Sequence, residues 1–124
     1  MQGVDINACT SEGKTALHLA VHGGSKAVAT LLIEMGAEVN AQDKERRTPL
    51  HVACLNNQFE IVRCLLEEGG ATTGLRDKGH KVPLHLASIN GHTKVVNLLI
   101  QSKCSVEADS QAILQPLHLA VLGI

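Results

Sequence analysis

The chain has 124 residues, 44% hydrophobic and 19% charged, with 11 Lys and Arg against 12 Asp and Glu and a formal net charge of -1 with His neutral. That balance removes any general electrostatic case for nucleic acid or an anionic membrane surface, and no apolar run approaches the ~20 residues that a membrane span needs. Aromatic content is 1%, Phe59 being the only ring besides the histidines, so the core must be Leu, Val, Ile and Ala.

In chain order, residues 3–8 (Gly-Val-Asp-Ile-Asn-Ala) come first and parallel residues 36–41 (Gly-Ala-Glu-Val-Asn-Ala). A polar stretch at 10–14 follows, then the block Thr15-Ala16-Leu17-His18-Leu19-Ala20. The block returns as Thr48-Pro49-Leu50-His51-Val52-Ala53, as Val82-Pro83-Leu84-His85-Leu86-Ala87 and as Gln115-Pro116-Leu117-His118-Leu119-Ala120. Its histidines stand 33, 34 and 33 residues apart. A fixed period of that size marks stacked repeats rather than one closed globule, and a stack offers a long ridged surface more readily than a catalytic pocket.

Each block predicts a short helix. Thr15 and Thr48 are suited to cap it, and Pro49, Pro83 and Pro116 sit in the first turn, where a missing N–H costs nothing. Val82 and Gln115 lack the capping hydroxyl, a loss of about 1 kcal/mol per helix start. Turn residues close the helix near Gly23-Gly24, Asn56-Asn57 and Asn90-Gly91. A second helix then carries an apolar stripe at spacings of three and four: Val28, Leu31 and Leu32; Ile61, Val62, Leu65 and Leu66; Val95, Val96, Leu98, Leu99 and Ile100. Gly36-Ala37 and Gly69-Gly70-Ala71 stop the first two of these helices, and an extra residue near Gly69-Gly70 accounts for the 34-residue step.

These residues resemble the ankyrin repeat. Gly-Lys-Thr-Ala-Leu-His-Leu-Ala at 13–20, followed by Leu-Leu-Ile-Glu-Met-Gly-Ala-Glu-Val-Asn-Ala at 31–41, carries the resemblance, which extends in register over nearly the whole chain. It implies an all-α fold, an α-solenoid of stacked helix-turn-helix pairs with β-hairpin-like loops. The units expected are 10–42, 43–76 and 77–109, with 1–9 as the tail of a preceding repeat and 110–124 as a partial fourth. Arg46 and His80 depart from the family pattern, which usually has Gly there. Gly79 lies one residue early, so its loop is expected to be shaped differently. Neither end resembles a polar capping repeat. The expectation is a piece of a larger ankyrin domain, the other reading being that another chain covers the ends.

The resemblance implies protein–protein recognition across the loop tips and the exposed face of the first helices. Carried onto this chain, the tip candidates are Ser11, Glu12, Lys14, Lys44, Glu45, Arg47, Lys78, Gly79, Lys81 and Gln111. The helix-face candidates are His22, Leu55, Asn56, Ile89 and Asn90. The tips hold six of the eleven Lys and Arg: Lys14, Lys44, Arg46, Arg47, Lys78 and Lys81. Glu12, Asp43, Glu45 and Asp77 dilute them to a small positive excess. That is either a solvated mixed surface or a preference for an acidic segment of a partner. Leu55 and Ile89 are either exposed anchors or packed on the neighbouring first helix. Asn40 in Val-Asn-Ala is a position where the family can be hydroxylated, Asn7 having a similar setting; the plainer reading is a turn-stabilising side chain.

No catalysis is expected. GxSxG, P-loop and GxGxxG patterns are absent, and Gly23-Gly24-Ser25-Lys26 lacks the Walker spacing. No cofactor or metal is expected either. Helices pack 8–10 Å apart and a zinc ligand stands ~2 Å from its ion, so histidines at one per repeat do not share a metal. The resemblance implies a structural role for them, bonding the neighbouring loop backbone. Cys9, Cys54, Cys64 and Cys104 form no CxxC, and no secretory signal stands out, which points to a reduced, intracellular, cytoplasmic protein with the nucleus left open. The alternative function is a regulatory or autoinhibitory segment of a larger enzyme, channel or signalling protein. The last, partial unit, with Leu117, Val121 and Ile124, predicts end-to-end self-association.

Overall fold

Thr15 and Thr48 begin their helices as the sequence requires. Each hydroxyl accepts from the backbone N–H three residues on, at 3.3 Å for His18 and 3.2 Å for His51. The computed structural model describes residues 5–106, with side chains through Ser102. Its helices form three pairs: α1 (Ala16–His22) with α2 (Lys26–Glu34), α3 (Pro49–Leu55) with α4 (Phe59–Glu67), and α5 (Pro83–Ile89) with α6 (Thr93–Val106). Among the described residues no strand occurs; a single antiparallel bridge joins Cys9 to Thr15.

First helices pack on first helices, α1 on α3 and α3 on α5. Second helices pack on second helices, α2 on α4 and α4 on α6. Between the rows lies an aliphatic core in which Leu17, Leu50, Leu65, Val62, Val95 and Leu99 are fully buried. This is the all-α repeat stack that the 33-residue period calls for.

Val82 has no side-chain acceptor for the start of α5, and only the bond from its own N–H to His85 Nδ1, at 3.3 Å, remains. Ser25 caps α2 through Val28 N–H at 3.2 Å, whereas Gln58 makes no such bond at the head of α4. Gly36 and Gly70 take positive φ, 93° and 63°, just past α2 and α4. α6 meets no glycine there, Lys103 standing where α2 is followed by Gly36, and it continues to Val106.

The extra residue of the 34-residue step sits after α4. Ala37 N–H bonds the carbonyl of Leu32, but Ala71 N–H reaches back one residue further, to Leu65. Gly69 makes room for this loop, since a Cβ there would stand 2.8 Å from the Leu65 carbonyl oxygen and 3.1 Å from the Val39 methyls. At the α1–α2 end, Leu19, Val28, Leu31 and Met35 are about half exposed, at 49%, 46%, 52% and 50%. Ile61 and Val95, which correspond to Val28, are buried, as are Cys64, which corresponds to Leu31, and Leu86, which corresponds to Leu19.

Candidate functional site

Three tight loops stand ahead of the first helices and share one geometry. Thr10 N–H bonds the Lys14 carbonyl at 2.9 Å, Asp43 N–H that of Arg47 at 3.0 Å, and Asp77 N–H that of Lys81 at 2.9 Å. Inside the second loop, Asp43 Oδ1 accepts from Glu45 N–H and Arg47 N–H at 2.8 and 2.9 Å. Asp77 Oδ1 accepts in the same way from Gly79 and Lys81. In the first loop Thr10 Oγ1 takes this part for Glu12 and Lys14. The residue before the loop closes is left-handed each time: Gly13 at φ 80°, Arg46 at 62° and His80 at 64°. The expectation of a different shape around Gly79 is therefore corrected. The paired bonds to Asp77 set the turn, so His80 takes the left-handed position despite its Cβ, and Gly79 does not.

Each loop is tied to the next. Lys44 N–H bonds the Glu12 carbonyl at 3.0 Å and Lys78 N–H that of Glu45 at 2.8 Å. Lys14 Nζ pairs with Asp43 Oδ2 at 3.3 Å, and Arg47 Nε with Asp77 Oδ2 at 3.7 Å. Burial would push the Asp43 carboxyl up, but N–H bonds from Arg47 and Glu45 and the Lys14 ammonium outweigh it and hold it below its ordinary value. Asp77 is lowered against burial in the same manner by the Lys81 and Gly79 N–H groups, with His51 and Arg47 adding to the pull.

The imidazoles complete the ties. His18 Nε2 lies 2.8 Å from the carbonyl of Arg47 and His51 Nε2 2.8 Å from that of Lys81. A carbonyl only accepts, so Nε2 carries the proton and Nδ1 accepts from the backbone N–H of Thr15 or Thr48. The neutral ring satisfies both neighbours. Burial, the main cause, lowers both imidazoles below their ordinary value, opposed by the bonded carbonyl. His92 ties a different level, its Nε2–H donating to the Leu55 carbonyl at 3.1 Å.

The predicted site residues separate into groups. Glu45, Arg47, Leu55, Lys78, Gly79, Lys81, Ile89 and Asn90 come together around a groove of about 400 Å³ between the second and third loops and the ends of α3 and α5. Ser11 and Glu12 are exposed on the first loop, His22 at the end of α1, Lys44 on the second loop and Asn56 just past α3. Lys14 lies outside the groove, occupied by Asp43. Gln111, Cys104's side chain and the partial fourth unit lie outside the described residues. Asn40 is bonded at both ends of its amide: Nδ2 donates to Thr72 Oγ1 at 3.1 Å and Oδ1 accepts from Thr72 N–H at 2.9 Å. Asn7 Oδ1 accepts from Glu38 N–H at 2.7 Å.

Among the described residues Lys44, Arg46, Lys78 and Lys81 carry no ion pair, whereas Asp43 and Asp77 are buried and engaged. Lys14 and Arg47 are thus matched by buried carboxylates, and the exposed tips keep their small positive excess in Lys44, Arg46, Lys78 and Lys81 against Glu12 and Glu45. Ile89, at 67%, is more exposed than any other large hydrophobic side chain among the described residues. Leu86 and Asp77 also line the groove; sequence reasoning did not select them. The loop spacing Asp-x-x-x-Arg/Lys was the available signal for Asp77. A larger depression, about 810 Å³, runs past the starts of α2, α4 and α6 and includes Phe59, Ile61, Lys94 and Leu98. Nothing in the repeated block pointed to it. Burial pushes the Cys54 thiol up, so it serves as a small hydrophobe rather than a nucleophile.

The tandem model for ankyrin repeats (three copies) matches residues 1–77, and that for a single ankyrin repeat matches residues 80–111. The chain belongs to the ankyrin repeat family. Over 61 residues it is 41% identical to the ankyrin repeat protein YahD of Escherichia coli (strain K12), covering 49% of this chain and 30% of that protein. Over 51 residues it is 49% identical to Rabankyrin-5 of Mus musculus, covering 41% of this chain and 4% of that protein. Over 58 residues it is 38% identical to the transient receptor potential cation channel subfamily A member 1 of Drosophila melanogaster, covering 47% of this chain and 5% of the channel. The matched stretch spans less than a third of each relative's length. Ankyrin repeats are protein-interaction modules, found here within larger proteins, and the family is generally non-catalytic. Among the described residues no helix is long and apolar enough to cross a membrane.

Proposed function

We propose that this chain binds a partner protein across its loop tips and the adjoining ends of the first helices, with no chemistry of its own. The repeat units are taken as 10–42, 43–76 and 77–109. The observation that carries the reading is the groove where Leu55 and Ile89 lie beside the unpaired Lys78 and Lys81. Charge there favours an acidic segment on the partner. Ties from each loop to the next hold the array in place before binding, which lowers the ordering cost.

The test is a pull-down from a cytoplasmic lysate with this chain beside a variant carrying Lys44→Glu, Lys78→Glu and Lys81→Glu. Arg47 is left intact because its guanidinium holds Asp77. A partner captured by the chain and lost from the variant supports the reading. A partner captured equally by both moves recognition away from the tips.

The second reading is a regulatory segment of a larger enzyme, channel or signalling protein, with the repeats packed against their own chain. It is favoured by the small share of Rabankyrin-5 and of the channel that the match covers. Cross-linking of the parent protein, with contacts from Ile89 mapped within one chain, separates it from the first. End-to-end self-association is supported by the half-exposed Leu19, Val28, Leu31 and Met35; a sedimentation coefficient that stays constant with concentration removes it. Hydroxylation of Asn40 would have to act on a side chain already bonded to Thr72. A one-oxygen mass gain on its peptide is the readout.

A further inference from the structure

The bonding pattern around the groove narrows the kind of partner it takes. Leu55 and Ile89 close α3 and α5 at equivalent positions, and together they form an apolar floor that is half-buried at Leu55 and 67% exposed at Ile89. Lys78 and Lys81 stand on the loop side without an ion pair among the described residues. Of the groove's own carboxylates the buried Asp77 is already committed, and the exposed Glu45 offsets only part of the charge of Lys78 and Lys81. Asp77 accepts two N–H groups and faces Arg47, and Glu45 lies 3.9 Å from the same guanidinium. What stays unmatched is therefore apolar area flanked by positive charge.

We infer that the groove takes an extended peptide segment in which one large apolar side chain is flanked by carboxylates. The apolar side chain covers Ile89 and Leu55, and the carboxylates meet Lys78 and Lys81. This rests on the reading above, that the partner lies across the tips and first-helix ends. Neither half suffices alone. Exposed lysine–carboxylate pairs are worth little when fully solvated, and one apolar contact gives no register. An apolar residue that excludes water beside the pair strengthens both.

The probe is a random twelve-residue peptide library displayed on phage and selected against residues 1–124, followed by synthetic peptides of the selected sequences measured by fluorescence anisotropy. The expected peptides carry Leu, Ile, Phe or Met next to Asp or Glu. Their affinity falls about tenfold in Lys78→Glu/Lys81→Glu and at least about fivefold in Ile89→Ser. The charge-reversed variant gains affinity for the same peptide with lysine in place of its carboxylates. All three positions are exposed, so the variants fold, which circular dichroism checks. Peptides that weaken in Lys78→Glu/Lys81→Glu but carry no apolar residue, or are indifferent to Ile89→Ser, overturn this inference and leave the tip surface standing. Peptides that bind every variant equally overturn the tip surface as well. A library that yields no binder overturns the inference.

Discussion

The imidazole Nε2–H of His18 donates to the backbone carbonyl of Arg47 at 2.8 Å, and the carboxylate of Asp77 sits 3.7 Å from the Arg47 guanidinium. One residue is thus gripped from the helix before it and the loop after it. His51, bonded to the Lys81 carbonyl, repeats the first half of this arrangement one level on. The row of loops is a continuous bonded strip rather than a set of independent turns.

Removing a ring from this strip should be costly. His51→Ala leaves the Thr48 N–H without its partner, takes from the Lys81 carbonyl one of its two donors (the Asp77 N–H stays), and opens a cavity at a fully buried site. We expect a loss of about 2–4 kcal/mol. Urea unfolding monitored by circular dichroism measures it, with His22→Ala on the exposed end of α1 expected within about 0.5 kcal/mol of the parent.

Stability should fall on the acid side in two stages. His18 and His51 are depressed below 6.5 in the folded chain, so the unfolded chain binds protons first as pH drops. Their contribution is complete above 6.5 and declines below it, through their folded values. Asp43 and Asp77 are depressed below 3.8, so theirs is complete above 3.8 and is lost as pH falls through the folded values. The urea midpoint should therefore be flat from about pH 8 to about pH 7 and lower at about pH 5. In the His18→Gln/His51→Gln variant the drop between pH 7 and pH 5 should largely vanish.

Equal-looking loop positions should respond unequally. Asp77→Ala removes a buried carboxylate that accepts two N–H bonds and faces Arg47, for a cost of about 2–3 kcal/mol. Lys78→Ala, next to it and exposed, should change stability by less than about 0.5 kcal/mol. Thermal melts of the two variants side by side decide this; comparable losses would mean that the loop geometry does not depend on the carboxylate.

Two loops carry backbone strain that glycine would relieve. Arg46 and His80 sit at φ 62° and 64°. The left-handed region costs a residue with a Cβ roughly 1–2 kcal/mol, and glycine's greater unfolded freedom returns about 0.5–1 kcal/mol of that. Arg46→Gly and His80→Gly should each stabilise the chain by about 0.5–1 kcal/mol, read as a rise in melting temperature. A fall would show that the side chains hold the turn.

Much of this molecule is decided locally and so was legible in one dimension. The spacing of Leu17, Leu50 and Leu84 against the Val, Leu and Ile stripes sets the helix pairs and their stacking. The Thr-x-x-His block contains both partners of its own cap. Gly36 and Gly70 end helices because left-handed backbone there is free of strain. Contacts between one loop and the next depend on how successive loops are staggered, which no repeat of about 33 residues encodes by itself. Only the folded stack pairs Lys14 with Asp43 and Arg47 with Asp77 while leaving Lys78 and Lys81 to solvent. It likewise buries Leu86 and turns Ile89 outward from the same short helix. Position along the chain determined what these side chains are, and tertiary packing, by using up some charges and apolar surfaces and not others, decided which of them face a partner.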